Sequence, residues 1–137
     1  MRRKTLSVKI GKVFIGSDHS IKTQSMTTAS TMDTDKSVDE AIRIIQAGGK
    51  LVRFTAPNIN EAKNLLNIKD ALVAKGYDDP LVADIHFTPN AALEASKIVE
   101  KVRINPGNYV DKKKFEVKEY DDKSYQDELL KLSLIHI

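Results

Sequence analysis

The chain has 137 residues, enough for one domain of ordinary size but too few for a complete eight-stranded α/β barrel, which needs about 250. Hydrophobic residues make up 41% and charged residues 30%, a composition typical of a folded globular chain and not of a disordered one. The net charge of +3 does not by itself indicate a nucleic-acid or membrane partner. Cysteine is absent, so these residues can form no disulfide, hold no thiolate-bound cluster and supply no cysteine nucleophile.

Residues 2–4 are basic, as at the start of a signal peptide, but polar residues interrupt the segment that follows them. The longest apolar runs contain only a few residues, whereas a transmembrane helix needs roughly 20. The sequence therefore predicts a cytoplasmic protein without a membrane partner.

The chain opens with two short β-prone runs within residues 8–16, separated by Gly11 and Lys12, which suit a two-residue hairpin turn. From Ile21 onward, a strand followed by a helix recurs, as is typical of βα units around a parallel sheet. We predict strands at 21–26, 51–56, 81–87 and 101–105.

Between these strands, apolar residues at helical spacing predict three helices, over about 37–47, 58–76 and 88–99. Candidate helix caps are Asp35 or Ser37 for the first helix, Asn58 or Asn60 for the second, and Thr88 before Pro89 for the third.

After Asn108 the chain becomes densely and evenly charged, which is typical of a solvated linker or an exposed helix. A further helix is predicted over about 124–132. Residues 132–137 are mostly apolar and have no helix cap, so we expect that the sequence is interrupted here. We therefore divide the chain into residues 1–110, which hold the βα units, and residues 111–137, the charged start of an insert or a truncated tail.

The four predicted strands end in residues that alternate between apolar and polar. Residues two apart on a strand share a face. The same-face pairs at the strand ends are Gln24 with Met26, Arg53 with Thr55, Asp84 with His86, and Arg103 with Asn105. Because a strand covered on both faces is nearly continuously apolar, this alternation indicates that one face turns into the mouth of a barrel. We predict an α/β chain that forms the first four βα units of a barrel, preceded by a small β-hairpin.

The same residues predict a polar site, because ligands of parallel α/β sheets bind beyond the carboxyl ends of the strands. Arg53 and Arg103 suit a phosphate or diphosphate, although an ion pair with Asp84 also explains them. Asp84 and His86 suit a hydrogen-bonded acid/base or substrate-orienting pair. Gln24, Ser25 and Asn105 could form neutral hydrogen bonds to a ligand, or they could cap the strand ends.

Four segments carry a resemblance to a known family, in order and in spacing. They are Gln-Ser-Met-Thr at 24–27, Val-Arg-Phe at 52–54, Leu-Val-Ala-Asp-Ile-His-Phe at 81–87 and Val-Arg-Ile-Asn-Pro-Gly-Asn at 102–108. Over about residues 7–110 the chain resembles the amino-terminal TIM barrel of the 4-hydroxy-3-methylbut-2-enyl diphosphate synthases. The charged stretch after Asn108 resembles the longer form of that family, which has extra sequence inserted.

The resemblance implies an oxidoreductase of non-mevalonate isoprenoid biosynthesis. It converts 2-C-methyl-D-erythritol 2,4-cyclodiphosphate to 4-hydroxy-3-methylbut-2-enyl diphosphate with electrons from ferredoxin or flavodoxin. The family's carboxyl-terminal domain holds a 4Fe-4S cluster on three cysteines and a glutamate, and commonly closes over the barrel of the partner subunit in a homodimer. Arg53, Asp84, His86, Arg103 and Asn105 would contact the substrate, with both arginines on diphosphate oxygens.

This chain has four of the eight strands and none of the cluster cysteines. We therefore expect the 137 residues alone to be catalytically inactive.

Two alternative functions remain open. One is a pterin-binding barrel of the dihydropteroate synthase type. The other is a non-catalytic module that binds RNA or an acidic partner through Lys112 to Lys114, which is disfavoured because acidic residues interleave with the lysines.

Overall fold

A computed structural model describes residues 3–106 and 121–133 of the chain. Its strands are β1 (Val8–Ile10), β2 (Val13–Ile15), β3 (Gln24–Met26), β4 (Leu51–Thr55), β5 (Leu81–Ile85) and β6 (Lys101–Ile104), and its helices are α1 (Thr34–Gln46), α2 (Ile59–Ala74), α3 (Pro89–Ser96) and α4 (Asp122–Ser133). Most of the predicted charged stretch and the last four residues lie outside the described residues. No helix in the described part of the chain is long and apolar enough to cross a membrane.

The strands form two sheets, an antiparallel hairpin of β1 and β2 and a parallel sheet in the order β3-β4-β5-β6. Consecutive parallel strands are joined by α1, α2 and α3, as βα units require. The predicted partial α/β barrel with an amino-terminal hairpin is thus confirmed.

The sheet separates two apolar clusters. On its outer face, Val52, Phe54, Ala83 and Ile85 pack against the helices and are completely buried. On its inner face, Leu51 of β4 and Val82 of β5 pack against Ile10 of the hairpin. Since Leu51 and Val82 lie near the amino ends of their strands, the hairpin covers that end of the sheet and leaves the carboxyl ends for other contacts.

The turn of the hairpin is fastened to the loop before β5. Lys12 forms an ion pair with Asp78 and has its Nζ 3.4 Å from Asp79 Oδ1. Gly11 has a φ of +55°, and a Cβ there would lie 3.0 Å from Glu100 Cγ, so the turn needs glycine for its backbone conformation.

Helix α1 begins earlier than predicted. Its cap is Asp33, whose carboxylate accepts a hydrogen bond from Lys36 N at 3.2 Å, so the predicted caps Asp35 and Ser37 were wrong. Ser37 is instead buried and donates its hydroxyl to the carbonyl of Ser30 at 3.0 Å. The cap was misassigned because several residues in this stretch favour capping, and tertiary contacts select among them.

The other helix starts agree more closely with the prediction. Asn58 caps α2 by accepting from Glu61 N at 3.0 Å. Thr88 holds the cap position of α3, with Pro89 first in the helix, but its hydroxyl donates to Pro57 O at 3.0 Å and accepts no hydrogen bond from the helix N–H groups. Helix α3 also ends at Ser96, before the predicted end at residue 99, and β3 is three residues shorter than predicted.

Candidate functional site

Asp84 is the centre of a charged group on the inner face of the sheet. Its side chain is 3% exposed, on a strand that is buried along its whole length. Arg53 donates from Nε to Asp84 Oδ2 at 3.1 Å and also pairs with Oδ2 through Nη2, while Arg103 Nη1 donates to Oδ1 at 3.1 Å. One buried carboxylate therefore holds two guanidinium groups from the two neighbouring strands.

The strand register explains this arrangement. Asp84 is in register with Thr55 of β4 and with Arg103 of β6, so Arg103 lies directly beside it. Arg53 is in register with Val82, two residues nearer the amino end, and its long side chain extends toward the carboxyl end to reach Asp84.

The two arginines outweigh the charge of the aspartate. Burial by itself raises the pKa of Asp84, but the hydrogen bonds and charge of Arg53 and the hydrogen bond from Arg103 outweigh it and hold that pKa below its usual value. Asp84 is thus ionised at neutral pH, and the group carries one net positive charge because a guanidinium does not lose its proton in proteins.

The guanidinium groups are also more accessible than the carboxylate between them. The side chain of Arg53 is 26% exposed and that of Arg103 is 40% exposed. Asp84 engages two nitrogens of Arg53 and one of Arg103, whereas each guanidinium has five N–H donors. The arrangement can therefore accept an anion on the solvent side of the arginines while Asp84 holds them from below.

His86 and Asn105 lie beside this group, just past the ends of their strands. His86 Nε2 is 3.3 Å from Asp84 Oδ2, and its side chain is partly exposed. Asn105 follows β6, two residues after Arg103, and is half-buried. The structure therefore brings Arg53, Asp84, His86 and Arg103 together and places Asn105 at the adjacent strand end.

The two candidates on β3 are placed differently. Gln24 is in register with Leu51, on the inner side of the sheet, but it is exposed on an edge strand and lies below the level of Arg53. Ser25 is in register with Val52, whose side chain belongs to the helix-facing core. Because side chains alternate along a strand, Ser25 lies on the side of the sheet away from Asp84, and its contact with substrate stays a prediction.

The loop between β3 and α1, residues 27–33, borders the same end of the sheet and was not predicted to have a role. Thr27 N donates to the carbonyl of Arg53 at 3.0 Å, and the buried Thr31 donates its hydroxyl to the carbonyl of Thr55 at 2.6 Å. Glu40 of α1 accepts hydrogen bonds from Thr28 and Ala29. Two threonines directly after the strand, and a third at position 31, were the only signal of this loop in the sequence, since its partners are distant residues.

The iron–sulfur cluster implied by the resemblance does not fit the residues present. The chain has no cysteine. In residues 3–106 and 121–133, no group of three histidine, aspartate or glutamate side chains is arranged to hold a metal ion. Metal and cluster chemistry is therefore not assigned to this chain's own side chains.

The four-stranded parallel sheet with its helices is part of an α/β barrel domain, and the positive group at the carboxyl end of the sheet suits an anionic ligand. Comparison with known families makes the assignment specific. Residues 5–124 match the GcpE TIM-barrel domain, and the chain belongs to that family.

Relatives named 4-hydroxy-3-methylbut-2-en-1-yl diphosphate synthase (flavodoxin) match 96% of this chain. Those of Akkermansia muciniphila and Chlamydia abortus are each 53% identical to it, over 131 and 132 residues, and that of Bacteroides thetaiotaomicron is 50% identical over 132 residues. The chain spans 22% of the length of each of these relatives. The resemblance seen in the sequence is thus confirmed, and the pterin-binding alternative receives no support.

Proposed function

We propose that this chain is the substrate-binding part of an enzyme that converts 2-C-methyl-D-erythritol 2,4-cyclodiphosphate to 4-hydroxy-3-methylbut-2-enyl diphosphate. The observation that carries the proposal is the pair of guanidinium groups on Asp84, which leaves a net positive charge at the carboxyl end of the sheet. A cyclic diphosphate is a compact dianion whose oxygens match the planar donor fork of arginine.

In this proposal Arg53 and Arg103 donate to diphosphate oxygens, and Asp84 sets the spacing between them. Each arginine already has part of its donor set fixed by Asp84, so less side-chain freedom is lost when the ligand binds. His86 and Asn105, at the level above Asp84, would contact the part of the substrate nearer the mouth.

The redox part of the reaction lies outside these residues. Reductive opening of the ring and loss of water consume electrons, which ferredoxin or flavodoxin would supply through a cluster that this chain cannot hold on cysteine. The names of the relatives specify flavodoxin. We therefore expect substrate binding but no product from the 137-residue chain alone, and we expect the complete enzyme to be a cytoplasmic homodimer.

Calorimetric titration of the 137-residue chain with 2-C-methyl-D-erythritol 2,4-cyclodiphosphate tests the proposal. Arg103→Gln should weaken binding by about tenfold or more, because a charge-assisted pair to the diphosphate is lost. Lys97→Gln is the matched control for loss of one positive charge, since Lys97 follows α3 and its side chain is 67% exposed and pairs with Glu94 of that helix. Absence of binding by the unchanged chain, or equal affinities for the two variants, would contradict the proposal.

A further inference from the structure

The β3–α1 loop is fastened to the strand that carries Arg53. Thr27 is buried, and both its backbone N–H and its hydroxyl are directed at the carbonyl of Arg53, at 3.0 Å and 3.4 Å. Four residues later, Thr31 reaches the carbonyl of Thr55. The loop thus contacts β4 on both sides of Phe54, at Arg53 and Thr55, whose side chains face the inner side of the sheet.

Between these two attachments the loop is held by one carboxylate. Glu40 Oε2 accepts from the backbone N–H groups of Thr28 at 2.7 Å and Ala29 at 3.1 Å. Its other oxygen, Oε1, accepts from the Thr28 hydroxyl at 2.8 Å. Two successive peptide groups and one side chain therefore depend on a single residue that lies 11 or 12 positions away in the sequence.

Helix α1 is suited to this task because two of its residues face the loop. Ser37 and Glu40 are three positions apart, so they lie on the same side of the helix. The hydroxyl of Ser37 donates to the carbonyl of Ser30, directly after the residues that Glu40 holds. The Glu40 side chain is 20% exposed, and its hydrogen bond from the Ala29 N–H is partly buried.

The position of the loop gives these contacts a role in binding. Met26, the last residue of β3, is in register with Arg53, so residues 27–31 rise past Arg53 at the carboxyl end of the sheet. A ligand held by Arg53 at the mouth would meet this loop as its neighbouring wall. A wall that is already ordered costs less entropy on binding than one that must be ordered by the ligand.

We propose that Glu40 is a positioning residue, which holds the β3–α1 loop as a preformed wall of the diphosphate site. The inference rests on the proposed function, because it assigns the loop to the binding of the same cyclic diphosphate. Glu40 itself acts through Thr28 and Ala29 and does not touch the ligand.

The test compares Glu40→Ala and Glu40→Gln with Asp39→Ala in the 137-residue chain. Asp39 is the preceding residue on α1 and its side chain is 72% exposed, so its variant controls for loss of a carboxylate from the helix. Glutamine keeps an oxygen that can accept from both N–H groups and an amide that can donate to the Thr28 hydroxyl. Affinity for the cyclodiphosphate is measured by calorimetry, and amide hydrogen exchange is measured in parallel.

Glu40→Ala should weaken binding about tenfold, and its loss of amide protection should be confined to residues 27–31, whereas Glu40→Gln and Asp39→Ala should stay within about threefold of the unchanged chain. Equal affinity of Glu40→Ala and Asp39→Ala would overturn the inference and leave the proposed function standing. Loss of protection throughout β4 and β5 would overturn it as well, because Glu40 would then support the whole fold. No binding by the unchanged chain would reject the proposed function, and the inference with it.

Discussion

Arg53 and Asp84 lie on adjacent parallel strands but are offset by two residues, so that the guanidinium reaches its carboxylate toward the open end of the sheet. The offset places the charge of Arg53 nearer the mouth than its own Cα. Arg103, which is directly in register with Asp84, approaches the other carboxylate oxygen. Two arginines that start at different heights are thereby brought to the same level.

Replacing Asp84 with asparagine tests how much this group contributes to stability. Asp84→Asn leaves two guanidinium groups close together without their shared anion, and we expect it to lower the free energy of unfolding by about 2 to 3 kcal/mol. The matched control is Asp78→Asn, which breaks the ion pair with Lys12 at an exposed site and should change stability little. Urea denaturation measures both. An equal effect of the two variants would show that Asp84 is not held as described.

Acidification should remove the contribution of Asp84. Its pKa lies below the usual aspartate value in the folded chain, so its ionised form stabilises the fold above that usual value, and the stabilisation is lost as the pH falls through the lowered pKa. The difference in unfolding free energy between the unchanged chain and Asp84→Asn should therefore be largest near neutral pH and shrink in acid. Other carboxylates with lowered pKa, such as Glu40, are common to both proteins. A difference that stays constant into strong acid would argue against the assignment.

The hairpin plug predicts a stability effect far from the charged group. Ile10 is 3% exposed and packs on Leu51 and Val82, so Ile10→Ala should cost about 2 to 4 kcal/mol through lost burial and the cavity left behind. Val8 on the same strand is 49% exposed, and Val8→Ala should cost about 0.5 kcal/mol or less. Thermal or urea unfolding of both variants gives the comparison. Similar losses would mean that the hairpin does not close the sheet.

The sheet has two open edges in the described part of the chain, because β3 and β6 each have a single neighbouring strand. Unpaired edge strands are templates for association, so the 137-residue chain made alone should be oligomeric and, at high concentration, poorly soluble. Sizing chromatography over a range of concentrations is the measurement. A single monomer peak that does not shift with concentration would contradict this expectation.

Much of the fold was predictable because its signals are local. Alternation of apolar and polar residues along the strands predicted the inner face with Arg53 and Asp84, and the Gly11 turn predicted the hairpin. The start of α1 was not predictable in the same way. Asp33, Asp35 and Ser37 all suit a cap, and Ser37 is excluded only by its burial against Ser30, which no local pattern encodes.

The site shows the same division. Arg53, Asp84, His86 and Arg103 were predicted together because same-side residues at parallel strand ends meet at one edge of the sheet. Ser25 was grouped with them by its neighbours in the sequence, although its place in the register is on the helix-facing side. Glu40 was not predicted, because it lies within α1 whereas its partners Thr28 and Ala29 belong to the loop that precedes this helix, 11 or 12 residues away in the sequence.

The order and kind of the elements, and the charges at the strand ends, follow from local sequence patterns, since helical and strand periodicities and turn residues act over a few positions. Which of these charges become partners depends on how the strands and loops pack in three dimensions. The strand register sets the height of each side chain, and the course of the β3–α1 loop brings Thr28 to Glu40. Hydrogen bonds and ion pairs form over about 3 Å, a distance between side chains that is defined only when the sheet and its loops have packed together.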